Sequence, residues 1–258
     1  MNQKQSFQAI SRVLICVAIL TLCMPLHSAD AQTWIGGFSD QWFHAANWSD
    51  GTIPLEPDDD VVIGAPSPTI LQQTANLNSL VVGADGILDI GVGNFTRRVE
   101  FGGAAQTTLE NAGTINVMPR SRLEFENIVI NSGDINVTSN GAVTLLQIDD
   151  SGAVVSGGGT ITLAGDSWIS NVSSSSVKPM LTIEDQTIQG SGRVGNSLIG
   201  ILNSAGGLIE ANVSGETLRV GSREVHGGLV NQGVMRASGG GQLEIQHCLL
   251  YTSDAADE

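Results

Sequence analysis

Glu110-Asn-Ala-Gly-Thr-Ile-Asn-Val117 and Ile130-Asn-Ser-Gly-Asp-Ile-Asn-Val137 are one phrase written twice, with Asn111 and Asn131 20 residues apart. Each joins an Asn-x-Gly corner to a short strand in which Ile and Val alternate with polar residues. Alternation with period two marks a strand buried on one face. Glycine and asparagine suit the corner because both reach positive φ at low cost. Asparagine side chains can also stack from one turn to the next and satisfy backbone groups there. The phrase returns as Leu202-Asn-Ser-Ala-Gly-Gly-Leu-Ile209 and Val230-Asn-Gln-Gly-Val-Met235, where Asn203 and Asn231 are 28 residues apart.

Working outward, the same alternation runs through Arg122-Leu-Glu-Phe-Glu126, Thr160-Ile-Thr-Leu163, Leu181-Thr-Ile183 and Gln242-Leu-Glu-Ile245. Glycine-rich corners, Ser156-Gly-Gly-Gly-Thr160 and Gln189-Gly-Ser-Gly-Arg193, lie between. Self-similarity at this period is the signature of a solenoid, so residues 66–247 predict a parallel β-helix of on the order of eight rungs. Parallel crossovers predict a right-handed coil. A β-sandwich is the alternative, since it also alternates short strands with turns. The repeated corner, the short spacers and the low aromatic content favour the solenoid. The expected inward residues are Ile115, Val117, Leu123, Phe125, Ile128, Ile130, Ile135, Val137, Ile161, Leu163, Ile183, Leu243 and Ile245. Burying each contributes roughly 1.5–3 kcal/mol before entropy is counted.

Composition agrees with an all-β chain. Of 258 residues, 32 are glycine, 4% are aromatic and 14% are charged, while 41% are hydrophobic. That content of branched aliphatics excludes a disordered chain. The net charge is −15. Such a surface repels phosphate backbones, which excludes nucleic acid as a partner.

Residues 1–31 read as an export signal: Lys4 and Arg12, an apolar run from Val13 to Leu26, then the small-x-small site Ala29-Asp30-Ala31. The expected mature start is Gln32, and no further apolar stretch is long enough to span a membrane. Cys16 and Cys23 lie in the signal and Cys248 near the C-terminus, so the body 32–247 carries neither a disulfide framework nor a thiol nucleophile. The expected location is secreted or cell-surface.

Residues 32–65 form a separate aromatic block: Thr33-Trp-Ile-Gly-Gly, Gln41-Trp-Phe-His-Ala-Ala-Asn-Trp48, Gly51-Thr-Ile-Pro54 and Asp58-Asp-Asp-Val-Val-Ile63. Three of the four tryptophans fall here, as a cap for the open end of a strand stack requires. The block resembles the N-terminal segment of autotransporter-like bacterial surface proteins and of proteins with PEP-CTERM or dockerin sorting ends. That resemblance implies a secreted β-solenoid without enzymatic activity. At the other end, Cys248-Leu-Leu-Tyr-Thr-Ser-Asp-Ala-Ala-Asp-Glu258 resembles translated sequencing-adapter read-through. The expectation is that 248–258 is a non-native tail and that the natural protein continues beyond about residue 247.

Candidate chemistry is sparse. Trp34, Trp42 and Trp48 are candidates for a sugar-stacking platform. Asp58, Asp59 and Asp60 are candidate Ca²⁺ ligands, since calcium takes several carboxylate oxygens, although EF-hand spacing is missing. No other cofactor is expected. Asp149-Asp150 is placed to meet Glu124, Glu126 or Asp134 from a neighbouring rung. His44, His226 and His247 are not in ligand-spaced pairs, and no nucleophile elbow or phosphate loop occurs. The expected function is a non-catalytic adhesive or structural stalk facing a surface or matrix polysaccharide or another cell. A carbohydrate-binding or polysaccharide-degrading β-helix is the alternative.

Overall fold

The computed structural model describes residues 31–64, 69–70, 74–91, 97–101, 108–171, 179–196, 198–222 and 228–246. The expected signal up to Asp30 and the expected tail lie outside these residues, as do Lys178, His226 and His247.

The chain is a parallel β-solenoid of about seven turns, each contributing one strand to each of three columns. The first column runs Ser79–Val82, Thr108–Asn111, the later part of Arg122–Asn131, the later part of Thr144–Ser156, Met180–Ile183, Gly200–Asn203 and Leu229–Asn231. The second runs Ile87–Ile90, Thr114–Val117, Asp134–Thr138, Thr160–Ala164, Thr187–Gly190, Leu208–Ala211 and Val234–Ala237. The third runs Arg98–Phe101, the early parts of the two long strands, Ser167–Ser170, Gly192–Val194, Thr217–Gly221 and Gln242–Gln246. Register partners on adjacent rungs are as few as 19 residues apart, as for Asp60 and Ser79, and as many as 29, as for Ser79 and Thr108. Corners absorb this variation, so the strands stay aligned while the sequence period wanders.

Inside, like stacks on like. In the second column Leu88, Ile115, Ile135, Ile161, Ile188, Ile209 and Met235 form one register row, and every member but Met235 is fully buried. Two expected core residues sit elsewhere. Ile128 and Ile130 are 37% and 40% exposed, because alternation along that strand turns Val129 and Asn131 inward instead. Leu243 is only half-buried and Ile245 is exposed; their strand has a described neighbour on one side only.

The asparagine corners form the expected ladder. Asn111 Nδ2 donates to Asn131 Oδ1 at 2.7 Å, Asn131 Nδ2 donates to Gln186 Oε1 at 2.8 Å, and Asn203 Nδ2 donates to Asn231 Oδ1 at 2.7 Å. Asn111, Asn131 and Asn203 are buried, so the ladder pairs their side-chain N–H groups where water cannot reach. The reason for glycine at these corners differs from the expected one. Gly113, Gly133, Gly207 and Gly233 are not at positive φ. At three of them the preceding rung's backbone lies where a Cβ would be: 2.2 Å from Gly86 O at Gly113, 2.1 Å from Gly113 O at Gly133 and 2.3 Å from Gly207 O at Gly233, while at Gly207 the Asn203 Oδ1 lies 2.1 Å from that point. Those backbone carbonyls accept the N–H of the next residue in the adjacent rung, as Gly113 O does from Asp134 at 2.9 Å.

The aromatic block closes the first end of the stack. Gln32–Thr33 pairs with Asp60–Ile63, which pairs with Ser79–Val82. Trp34, Trp42 and Trp48 pack edge-on, with ring centroids 5.2 Å apart for Trp34–Trp48 and 4.7 Å apart for Trp42–Trp48. They belong to the same continuous apolar core as the rungs.

Candidate functional site

The structure places the three candidate sugar-platform tryptophans in the interior. Trp34, Trp42 and Trp48 are 2%, 0% and 1% exposed. Trp42 Nε1 donates to Pro54 O at 3.0 Å and Trp48 Nε1 to Trp42 O at 2.8 Å. Buried rings offer no face to a sugar, so their part in this geometry is to cap the core.

Asp58, Asp59 and Asp60 do not converge. Asp59 Oδ2 accepts the N–H of Leu55 and Glu56 at 2.7 and 2.9 Å, tying a turn. Asp60 Oδ1 accepts from Asn78 Nδ2 at 2.9 Å and Ser79 Oγ at 2.5 Å, one rung away. Asp58 is exposed. Among the described residues no group of three or more His, Cys, Asp or Glu is placed to hold a metal ion.

Of the expected acidic patch, Glu124 lies on the third column within electrostatic reach of Asp149 and Glu126, while Asp134 belongs to the second column. Glu124 is 7% exposed; its Oε2 accepts the Phe101 N–H at 3.2 Å and its Oε1 accepts Gln147 Nε2 at 2.9 Å. Burial pushes its carboxyl up to about 7, and the charges of Asp149, Glu100 and Glu126 push the same way, while the Phe101 N–H opposes them. Glu100 is paired with Arg98 at 3.1 Å. Burial also lowers the Arg122 guanidinium from its ordinary value. Asp149 caps a turn by accepting the Ser151 N–H at 3.1 Å, and Asp150 accepts Asn171 Nδ2 at 3.0 Å.

One site was not singled out from the sequence. On the outer side of the third column, Trp168, Arg193 and Arg219 lie in register on successive rungs. They border a surface recess of about 320 Å³ with Asp166, Glu216 and Thr217. The Arg193 guanidinium lies 5.0 Å from the Trp168 ring centroid. A trace of this was legible: Trp168 is the one tryptophan outside the N-terminal block, and it precedes the inward Ile169 on a strand, which points its ring outward. What placed it beside two arginines from later rungs was register.

No family model, curated protein or solved structure matches this chain. The β-solenoid fold therefore rests on the strand pairing itself. Among the described residues no helix is long and apolar enough to cross a membrane.

Proposed function

We propose that this is a non-catalytic secreted or cell-surface protein whose solenoid is a structural or adhesive stalk, of the autotransporter-like kind that its N-terminal block resembles. The observation that carries the reading is the unbroken stack: parallel rungs in register from Gln32 to Gln246, one buried core, and one end closed by tryptophans. At roughly 4.8 Å per rung, seven rungs give a rod on the order of 30 Å long, held by backbone ladders along its whole length. Glu124 is the group through which a polysaccharide-degrading reading would run. Its oxygens are turned into Phe101 and Gln147 and its side chain is buried, which favours the non-catalytic reading. The export signal supports location outside the cytoplasm, and a right-handed coil is part of the same proposal.

Expression of the whole chain in a bacterial host with sequencing of the product's N-terminus tests the reading. The expected product is exported, begins at Gln32, and leaves pectin and alginate intact. A product retained in the cytoplasm with residues 1–31 attached, or one that depolymerises either polysaccharide, overturns it.

A further inference from the structure

The recess beside Trp168 exists because successive corners differ in length. Between the second and third columns the chain turns through residues 139–143, then 165–166, then 191 alone, then 212–216. Two long corners thus flank two short ones, and a notch opens over the short ones. Gly141 and Gly215 form its walls; a Cβ at either would meet nothing within 4 Å, so the walls are bare backbone facing open space.

The floor is the register row Trp168–Arg193–Arg219. Arg219 is engaged by Glu244 at 2.9 Å. Arg193 is seated against the Trp168 ring, where the cation is attracted to the π face. Its Nε is buried and has no hydrogen-bond partner. At the rim, Asp166 and Glu216 are exposed carboxylates that can accept hydroxyl protons, and Thr217 adds a hydroxyl.

These groups select a ligand. With Nε enclosed, a ligand in the notch can meet only the two terminal N–H groups of the guanidinium, and this planar pair matches a carboxylate held by two parallel hydrogen bonds. The rim carboxylates disfavour a doubly charged phosphate and suit a ring bearing several hydroxyls. The notch is polar and lacks the apolar anchor pockets that peptide recognition uses. We infer that this notch binds a uronic-acid residue of an acidic glycan, its carboxylate on Arg193 and its ring hydroxyls on Asp166 and Glu216. The inference adds a ligand to the stalk, and each can fail without the other.

Titrating the full chain with a galacturonic-acid oligosaccharide, and separately with its methyl ester, tests this by calorimetry and tryptophan fluorescence. Trp168 is the half-buried indole, so it reports on the notch. The acid form saturates the chain, and the ester, which keeps the ring and loses the charge, binds more weakly by about tenfold or more. Arg193→Gln and Arg193→Lys each lose a similar factor, the lysine because a point charge lacks the fork. Both variants keep the parent circular-dichroism spectrum, since Arg193 points outward. Failure of the acid form to saturate the parent chain, equal binding of the ester, or unchanged affinity in a folded Arg193→Gln chain overturns the inference. So does a peptide C-terminal carboxylate that binds as tightly as the acid oligosaccharide.

Discussion

Replacing Gly133 with alanine tests the claim that the corners are glycine because rungs touch there. The added Cβ would lie 2.1 Å from Gly113 O and 2.7 Å from Ala112 C, whereas real Cβ atoms stay beyond 3.0 Å. Both close atoms are backbone, so no side chain can swing away, and the two rungs must part by about 1 Å at this corner. That displacement falls on the Asp134 N–H to Gly113 O bond of 2.9 Å, the Gly133 N–H to Asn111 O bond of 3.1 Å and the Asn111–Asn131 amide bond of 2.7 Å. Losing one or two of these at ~1 kcal/mol each, together with overpacking strain of ~1–3 kcal/mol, gives a destabilisation of about 3 kcal/mol. Gly64→Ala is the control: its φ is not positive and its Cβ would meet nothing within 4 Å. Fewer unfolded conformations then make it neutral or stabilising by up to ~1 kcal/mol. Urea unfolding followed by far-ultraviolet circular dichroism reads both variants, and amide exchange locates the damage. In a one-dimensional stack the lost protection is concentrated in the strands flanking the corner, Thr114–Val117 and Asp134–Thr138. If Gly133→Ala unfolds at the same urea concentration as Gly64→Ala, the close-contact account of the corner glycines is wrong.

Two further outcomes are expected. Glu124 has a folded-state pKa of about 7 against an ordinary value of 4.5, so its contribution is fully present below pH ~4.5 and is lost as pH rises through 7. Glu124→Gln removes that slope; its single amide oxygen cannot accept from both Phe101 and Gln147, so the variant is less stable than the parent at acid pH and gains on it by up to ~3 kcal/mol as pH rises through 7; parallel stability–pH profiles for the two chains contradict the burial account. Ile135→Ala, at a fully buried position, costs ~2–5 kcal/mol. Ile130→Ala, at a 40% exposed position, costs well under half of that in the same denaturation experiment; equal costs would contradict the inward–outward assignment of Arg122–Asn131.

The fold class was legible in the sequence because a solenoid repeats its local rules. The alternating strands around Ile115, Ile135 and Ile161 and the Asn-Gly corners state strand, turn and buried face within a few residues each, and tryptophan density marked the cap. Parity defeated the reading at Ile128 and Ile130. Apolar character pointed inward there, but the strand's alternation is fixed by Val129 and Asn131, and an inward asparagine is acceptable only because Asn111 on the neighbouring rung and Gln186 two rungs away complete its hydrogen bonds. The candidate site was legible only in part. Asp149 was placed near Glu124 from sequence, but the burial that raises the Glu124 carboxyl is a tertiary property. Among the tryptophans and aspartates proposed as ligands, the three indoles are buried by packing, and Asp59 and Asp60 are engaged by a turn and by the next rung. Trp168, Arg193 and Arg219 stand roughly one rung apart in sequence, and their meeting depends on register. By itself the sequence determined the repeating strand and its corner, since both are short-range patterns. The tertiary structure alone decided which outward residues become neighbours, because that depends on how many residues each intervening corner uses before the next strand settles into the ladder.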